Sequence, residues 1–279
     1  MKGGYNMKEK IVKTLKDNKG EFISGQDLSD KLSVSRTSIW KHINSLKEEG
    51  YNIESISRKG HRLISSPDII NGDEIREYLN TKYIGRKILY FDSIDSTNIK
   101  AKEIAMSNNE EGIVVISEEQ TKGRGRLGRN WSSPKGKGIW MSIIVRPDIN
   151  PLDASKITQI TAAAIYNAMN EMDIEVSIKW PNDIILNSKK VCGILTEMSA
   201  EMMKINYLVI GIGVNVNIES NEFPEEIFAK ATSLKAELKR EVNRKELVGR
   251  ILNNFEYFYE QMIIKGTIKE ALDICREKS

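Results

Sequence analysis

The hydrophobic periodicity of this chain changes at the segment from Ser65 to Asp68, and this change constrains the fold more than any other feature. Before the segment, apolar residues recur at helical spacing in three short stretches. After it, apolar runs of strand length are interrupted by a few longer helical stretches. Because a chain of 279 residues favours two domains, we predict one domain at 1–66 and a second at 67–279.

The first domain has the pattern of a winged helix-turn-helix. Ser24 to Asp27 forms a capping box, and Ser35 can cap a further helix that ends at Gly50. Two strand-like runs, 51–56 and 62–64, then flank a basic tip and predict a hairpin, the wing. Apolar positions define three helices before it: Ile11, Val12 and Leu15; Leu28 and Leu32; Ile39, Ile43 and Leu46.

This domain is also the basic part of the chain. Residues 1–66 hold 13 Lys and Arg against 8 Asp and Glu, whereas the remainder is slightly acidic. In a winged helix-turn-helix the third helix enters the major groove of DNA and the wing follows the backbone. Arg62 is expected to join the wing contacts, and a helical module that binds protein instead remains an alternative. The predicted DNA-binding residues are Ser35, Arg36, Thr37, Lys41, Arg58 and Lys59.

The second domain is predicted to be α+β. Asn187 to Lys189 reads as a hairpin turn, so the sheet is at least partly antiparallel rather than doubly wound. A short helix from Asp73 to Leu79 should open the domain. The predicted strands are 88–91, 113–116, 139–145, 176–180, 184–186, 191–198 and 207–216, and the predicted longer helices are 98–106, 154–172 and 244–264.

The segment from Gly123 to Trp131 contains a nominal Gly-x-Gly-x-x-Gly pattern together with Arg124, Arg126 and Arg129. A dinucleotide-binding fold needs a helix to begin here. The residues that follow, rich in Gly, Ser and Pro, prevent one, so the pattern predicts a flexible loop. Its glycines permit close approach to a ligand, and its arginines suit phosphate or carboxylate groups. A solvated basic loop or an RNA-binding Arg-Gly segment remains possible.

Two further polar segments follow strands. Lys179 to Asp183 places a lysine at a strand end, with a rigid proline and two polar side chains behind it. Gly211 to Asn217 leaves a strand with two glycines and two amides. A surface turn and a glycine-kinked strand are the respective structural alternatives. No P-loop is present, so any nucleotide site is of another kind.

The only histidines are His42 and His61, both in the first domain, so residues 67–279 contain none. This excludes Ser-His-Asp and Cys-His nucleophilic sites and most zinc catalysis there. A reaction without histidine must use a nucleophile that is already ionised. Attack of a carboxylate on the α-phosphate of ATP fits, because Lys, Arg and Mg²⁺ can stabilise the transition state.

In this order, several segments resemble the biotin–protein ligases, and with the N-terminal module they resemble the bifunctional ligases that also repress the biotin operon. The resemblance covers about 8–275. The Gly-Arg-Gly-Arg loop and Lys-Trp-Pro-Asn-Asp are together highly specific. The segments are Ser96–Asn98, Gln120, Gly123–Trp131, Lys179–Asp183, Val191–Leu195 and Gly211–Asn217.

The resemblance implies a class II aminoacyl-tRNA synthetase-like catalytic domain and a two-step reaction. Biotin and MgATP give biotinoyl-5′-AMP, and a lysine of the biotin carboxyl carrier protein of acetyl-CoA carboxylase then accepts the biotin. Lys179, Arg126 and Asp183 are the implied catalytic residues, with Mg²⁺ arriving on ATP rather than at a metal site of the protein. The implied biotin contacts are Ser96, Thr97, Asn98, Gln120, Arg124, Gly125, Arg126 and Lys179. The implied ATP or adenylate contacts are Arg126, Arg129, Lys190 and Asn215, and 218–231, with Phe223 and Phe228, resembles the loop over the adenine.

The family usually continues into a small SH3-like barrel. This sequence ends at Ser279, where that barrel should begin, so the barrel is expected to be missing. A biotin sensor with little turnover and a lipoate–protein ligase remain alternatives. Operator DNA and a ligand-promoted homodimer are further implied partners. No apolar run approaches the roughly 20 residues that span a bilayer, and Cys192 and Cys275 are expected to be buried and unpaired, so a cytoplasmic location is expected.

Overall fold

The computed structural model describes residues 7–18, 20–201 and 204–278. Contacts between Cα atoms divide the chain into two compact units, Met1–Asp68 and Ile69–Ser279. Both cysteines are buried. Within the described ranges, no helix is long and apolar enough to cross a membrane.

Within residues 7–18 and 20–68, the first unit has three helices and a two-stranded antiparallel sheet. Ser24 accepts a hydrogen bond from the backbone of Asp27, and Ser35 accepts one from Ser38, so both predicted caps are present. The connection between the second and third helices turns at Ser33, whose φ is 55°. The elements are α1 (Met7–Asp17), α2 (Gly25–Leu32), α3 (Arg36–Glu48), β1 (Asn52–Ile56) and β2 (Gly60–Ser65). Their core contains the three predicted apolar faces together with Ile23 and Ile53, with Leu32 packed against it.

In its described residues, 69–201 and 204–278, the second unit is built on a seven-stranded sheet. Its strands are β3 (Ile88–Phe91), β4 (Val114–Ser117), β5 (Gly138–Val145), β6 (Ser177–Lys179), β7 (Asp183–Leu186), β8 (Lys189–Glu201) and β9 (Lys204–Asn215). Its helices are α4 (Gly72–Ile75), α5 (Thr97–Ser107), α6 (Ser155–Asn170), α7 (Glu225–Phe228), α8 (Leu234–Leu238), α9 (Arg244–Lys265) and α10 (Lys269–Glu277). The strand order is β3-β4-β5-β9-β8-β7-β6, and every pair is antiparallel except β3 and β4. The predicted α+β class is therefore confirmed.

The two faces of this sheet bury different helices. Alternate residues of β5, among them Ile139, Met141 and Ile143, belong to the main core with α6 and α9. The intervening position Ile144 packs in a smaller cluster with Ala101 and Ala105 of α5. Because successive side chains of a strand point to opposite faces, β5 is buried on both sides. The face that carries α5 also carries the candidate site.

One expectation about the start of this unit differs from the structure. The predicted helix from Asp73 to Leu79 is a single turn, α4, followed by a 3-10 turn at Arg76–Tyr78. Asn71 caps α4 by accepting from the backbone of Asp73 and Glu74. After β9, residues 216–278 form helices and turns and contain no strand, and α10 packs against α6.

Candidate active site

A cavity of about 700 Å³ lies at the first turn of α5, above strands β5, β8 and β9. It gathers segments that are far apart in the sequence. All twelve residues predicted to be catalytic or to bind substrate line it: Ser96, Thr97, Asn98, Gln120, Arg124, Gly125, Arg126, Arg129, Lys179, Asp183, Lys190 and Asn215. The role assigned to each residue remains a prediction.

One end of the cavity is a buried polar network. The Oε1 of Gln120 accepts from the backbone N–H of Thr97 at 2.9 Å, and its Nε2 donates to Ser133 at 2.8 Å. The hydroxyl of Ser142, on β5, lies 2.8 Å from Thr97 Oγ1 and 2.6 Å from Asn98 Oδ1. Ser133 and Ser142 were not identified from the sequence. Ser133 lies just beyond the predicted Gly123–Trp131 loop, and no motif near Ser142 marks a site.

The glycines of β9 make room for two cavity side chains. A Cβ atom on Gly211 would lie 2.3 Å from Oδ1 of Asn98, and one on Gly213 would lie 2.6 Å from Nε1 of Trp131. Gly193 pairs with Gly213 across β8 and β9 and also faces the Trp131 ring. The small residues seen in the sequence are therefore explained by close side-chain approach rather than by a kink in the strand.

The arginine-rich loop closes on itself without forming a helix. The backbone N–H of Trp131 donates to Gly123, and that of Gly125 donates to Arg129. A 3-10 turn between these pairs holds Leu127 at a φ of 56°. The guanidinium of Arg126 donates to Oδ1 of Asn182 at 2.7 Å, which ties the loop to the Lys-Trp-Pro-Asn-Asp turn.

That turn joins β6 to β7, and two lysines line the cavity in different settings, Lys179 at the end of β6 and Lys190 on β8. Lys179 is exposed at the end of β6, and no carboxylate within the described ranges pairs with it. Lys190 forms an ion pair with Asp183 at 2.6 Å, and its Nζ lies 5.2 Å from the centre of the Trp131 ring. Lys179 is therefore available to an anionic ligand, whereas Lys190 is already partnered.

The far end of the cavity is formed by Phe223, Ile227 and the segment 229–231. The side chain of Asn215 donates to the carbonyl of Thr232 at 3.0 Å. Phe223 lines the cavity as the resemblance suggests. Phe228 does not: it is half exposed, and its ring lies 5.1 Å from Nζ of Lys189.

The cavity is strongly positive. Among the residues that the structure describes, six cations line it, namely Arg124, Arg126, Arg129, Lys179, Lys190 and Lys230, against a single carboxylate, Asp183. Burial raises the pKa of the Cys192 thiol, so the cysteine next to Gly193 is not a thiolate nucleophile. The arrangement suits an anionic ligand and a reaction whose charge is stabilised by fixed cations.

In the first unit, the six predicted DNA-binding residues are all exposed, on α3, at its N-cap and at the tip of the hairpin. Arg62 is different. It pairs with Glu54 and lies 4.6 Å from the centre of the Phe22 ring, so it stabilises the wing rather than reaching outward. Burial, and then the charge of Lys47, lower the pKa of His61, so this residue adds no charge to the wing at neutral pH.

Fold and site together define a class of protein: a winged helix-turn-helix module joined to an α+β enzyme domain with a cationic cavity. Residues 90–215 match the biotin/lipoate A/B protein ligase family, and residues 8–62 match an HTH domain.

Curated relatives and solved structures agree with these matches. The bifunctional ligase/repressor BirA of Bacillus subtilis (strain 168) is 42% identical over 261 residues, covering 93% of this chain and 80% of the relative. The corresponding BirA of Escherichia coli (strain K12) is 31% identical over 198 residues, 71% of this chain and 60% of the relative. A biotin protein ligase from Aquifex aeolicus, solved with biotin and ATP, is 31% identical with a TM-score of 0.60, covering 69% of this chain and 78% of that one. This chain belongs to the biotin/lipoate A/B protein ligase family.

Proposed function

We propose that this chain is a biotin–protein ligase that also represses transcription through its winged helix-turn-helix. It activates biotin with ATP to biotinoyl-5′-AMP and transfers biotin to a lysine of the biotin carboxyl carrier protein of acetyl-CoA carboxylase. The adenylate-bound protein then represses genes of biotin synthesis. The observation that carries the proposal is the convergence of the Arg124–Arg129 loop, Lys179 and the Ser96–Asn98 turn on one cavity, in a chain similar along 93% of its length to a ligase/repressor.

The first step is attack of the biotin carboxylate on the α-phosphorus of ATP. A new carboxyl O–P bond forms, the bond from the α-phosphorus to the bridging oxygen breaks, and pyrophosphate leaves. The carboxylate is already ionised, so no general base is required. Lys179 neutralises charge that builds up on the carboxylate and α-phosphate, and Arg126 and Arg129 hold phosphate oxygens. Fixed cations stabilise such a transition state because they need no reorganisation during the reaction.

In the second step a carrier lysine in its neutral amine form attacks the acyl carbon of the mixed anhydride. An amide bond forms, the acyl C–O bond breaks and AMP leaves, with one proton released from the amine. Asp183 lies at the cavity edge and is the group we assign to orienting that amine. Its ion pair with Lys190 keeps its charge compensated within the cavity.

Magnesium is expected to arrive on the ATP phosphates. Among the described residues, no group of three or more His, Cys, Asp and Glu side chains is placed to hold a metal ion. One carboxylate at the cavity, Asp183, fits a role beside nucleotide-bound Mg²⁺ rather than a metal site of its own. Bound there, the ion would neutralise charge on the leaving pyrophosphate.

The proposed ligase activity is tested by incubating the protein with radiolabelled biotin, ATP and a carrier domain, followed by separation on a gel. Label on the carrier is expected, with pyrophosphate released before transfer. Radiolabelled lipoic acid in parallel tests the other branch of the family. Pyrophosphate release without carrier labelling would instead indicate a sensor that makes and keeps its adenylate.

A further inference from the structure

A continuous hydrogen-bonded chain runs from the surface into the cavity, starting at Glu197 on β8. Lys102 pairs with Oε1 of Glu197 at 2.7 Å, and Nδ2 of Asn98 donates to its Oε2 at 2.8 Å. The chain continues from Asn98 to Ser142, from Ser142 to Thr97 and from Thr97 to Gln120. Glu197 itself does not line the cavity, whereas Thr97, Asn98 and Gln120 do.

The orientation of both amides in this chain is determined by their surroundings. Nδ2 of Asn98 faces two acceptors, Glu197 Oε2 and the carbonyl of Leu195, so Oδ1 must face Ser142. Oε1 of Gln120 faces the backbone N–H of Thr97, so it can only accept. The two amides therefore present oxygen atoms to the two hydroxyl groups that lie between them.

The oxygen–oxygen contacts between the two amides outnumber the hydroxyl protons that can serve them. Three oxygen–oxygen contacts, at 2.6, 2.8 and 3.0 Å, join Asn98 to Ser142, Ser142 to Thr97 and Thr97 to Gln120. Only the hydroxyls of Ser142 and Thr97 carry protons for them. The shortest of the three contacts joins the Ser142 hydroxyl to Oδ1 of Asn98, and an amide oxygen can only accept. Ser142 therefore donates to Asn98. Thr97 then donates to Ser142 or to Gln120, and its own oxygen accepts from neither.

We propose that Glu197 is a positioning residue for substrate selection. It sets the direction in which the hydrogen bonds of this network donate, and so keeps Thr97 Oγ1 free to accept an N–H from the ligand. The proposal rests on the ligase function above. The ureido ring of biotin carries N–H donors, whereas the dithiolane ring of lipoate carries none. A free buried acceptor gains a hydrogen bond when biotin binds and stays unpaired when lipoate binds. This difference in pairing is how polar sites discriminate between ligands.

The charge of Glu197 suits this role. Burial alone would raise the pKa of its carboxyl. Hydrogen bonds from Lys102 and Asn98, with the charges of Lys102 and Arg124, outweigh burial and hold the pKa below its ordinary value. The group is therefore an acceptor at both oxygens at neutral pH. Asn98 can pair with it only through its amide nitrogen.

The variant Glu197→Gln should reverse the donor–acceptor direction of the hydrogen bonds that connect Asn98, Ser142 and Thr97. Its Oε1 can still accept from Lys102, which places its Nε2 against Asn98 and turns the Asn98 amide over. Asn98 then donates to Ser142, Ser142 to Thr97 and Thr97 to Gln120, so each of the three hydroxyl contacts has a proton. The longer hydrogen bond from Asn98 to the carbonyl of Leu195, at 3.3 Å, is lost in exchange. Thr97 Oγ1 now accepts within the protein and is a poorer acceptor for the ligand.

Calorimetry of the full-length protein with biotin and with lipoic acid tests this inference. Glu197→Gln should bind biotin about ten- to a hundredfold more weakly, with little change for lipoic acid and an unchanged Tm. Glu201→Gln, the same change farther along β8, should behave as the unaltered protein. Failure of the unaltered protein to bind biotin would refute the ligase function instead.

A second variant separates direction from simple structural support. Ser142→Ala removes the hydroxyl that would donate to Thr97 Oγ1 once the hydrogen bonds are reversed. Alone it should change biotin affinity by no more than about threefold, because Thr97 Oγ1 stays free. Added to Glu197→Gln it should restore most of the lost affinity. Additive losses in the double variant, or unchanged biotin binding in Glu197→Gln, would overturn the inference.

Discussion

At the scale of single residues, the cavity separates cations that are committed to the protein from cations that are free. Arg126 is tied to Asn182 and Lys190 to Asp183, while Lys179 has no carboxylate partner among the described residues. The sequence identified all three as site residues and ranked Lys179 above Lys190 from its position at a strand end, but it could not show which side chains they contact. Their partners, not their positions in the chain, determine what each substitution should do.

Arg126→Ala should impair adenylate formation and retention while leaving the fold intact. Loss of a charge-assisted contact to a buried anion costs about 1.5–3 kcal/mol, or roughly ten- to a hundredfold in affinity. Pyrophosphate release and filter retention of labelled adenylate measure the effect. Lys122→Ala is the control, because Lys122 is an exposed cation next to the loop and does not line the cavity. Normal retention in Arg126→Ala would refute its assignment as a phosphate ligand.

Lys179→Ala and Lys190→Ala should fail in different ways. We expect Lys179→Ala to lower kcat by roughly a hundredfold or more with an unchanged Tm, because it removes only transition-state electrostatics. Lys190→Ala should lower kcat less and should also lower the Tm, because Asp183 loses the cation that compensates its charge. Single-turnover rates and thermal unfolding distinguish the two. A native rate in Lys179→Ala would show that the reaction centre lies elsewhere.

Among the elements, β9 has glycines at positions where side chains from other segments pack closely against the strand. On one face Tyr207 and Val209 pack in the cluster that includes α5, and Gly211 and Gly213 continue that face into the cavity. Neither glycine has a positive φ, so the backbone alone would accept alanine at both. Their small size is required by Asn98 and Trp131.

Gly213→Ala should displace the Trp131 indole and weaken biotin binding, because the new methyl group would lie within 2.8 Å of two indole atoms. The strand should remain folded. Trp131→Phe in the same chain offers a compensating change, since the smaller ring has no Nε1. We expect the double variant to lose less affinity than the sum of the single losses, measured by calorimetry. Strictly additive losses would show that the two residues act independently.

At the scale of the whole molecule, the chain joins a basic DNA-binding module to an enzyme domain. A single module has six exposed predicted contacts and should bind DNA weakly with a steep dependence on salt. Two linked modules gain effective concentration and match a palindromic operator. The ligand must therefore change either the number of modules brought together or their affinity for DNA.

We predict that adenylate formation promotes a homodimer and thereby operator binding. Sedimentation and DNA binding, each with and without biotin plus ATP, measure both effects. Linkage requires operator DNA to tighten adenylate binding by the same factor. Arg126→Ala, which should not retain the adenylate, is the matched control and should stay monomeric. Equal dimer populations and equal operator affinities in all conditions would refute the coupling and leave the ligase function standing.

The sequence by itself determined the elements and the chemistry. Helical spacing before Ser65 and strand runs after Asp68 follow from side-chain periodicity, which is local. The absence of histidine from residues 67–279 limited the reaction to an ionised nucleophile, and the order of motifs indicated the family. Each of these inferences needs only neighbouring residues or a count of residue types.

The contacts that each site side chain makes became clear only from the packed fold. Arg62 was expected to face DNA and instead pairs with Glu54, and Phe228 was expected over the cavity and lies outside its lining. Ser142 on β5 and Glu197 on β8 hydrogen-bond to the cavity residue Asn98, and no local signal in the sequence marks either of them. Hydrogen-bond direction depends on which donors and acceptors meet across the sheet, and contacts between residues so far apart in sequence are determined by the packed fold rather than by local preference.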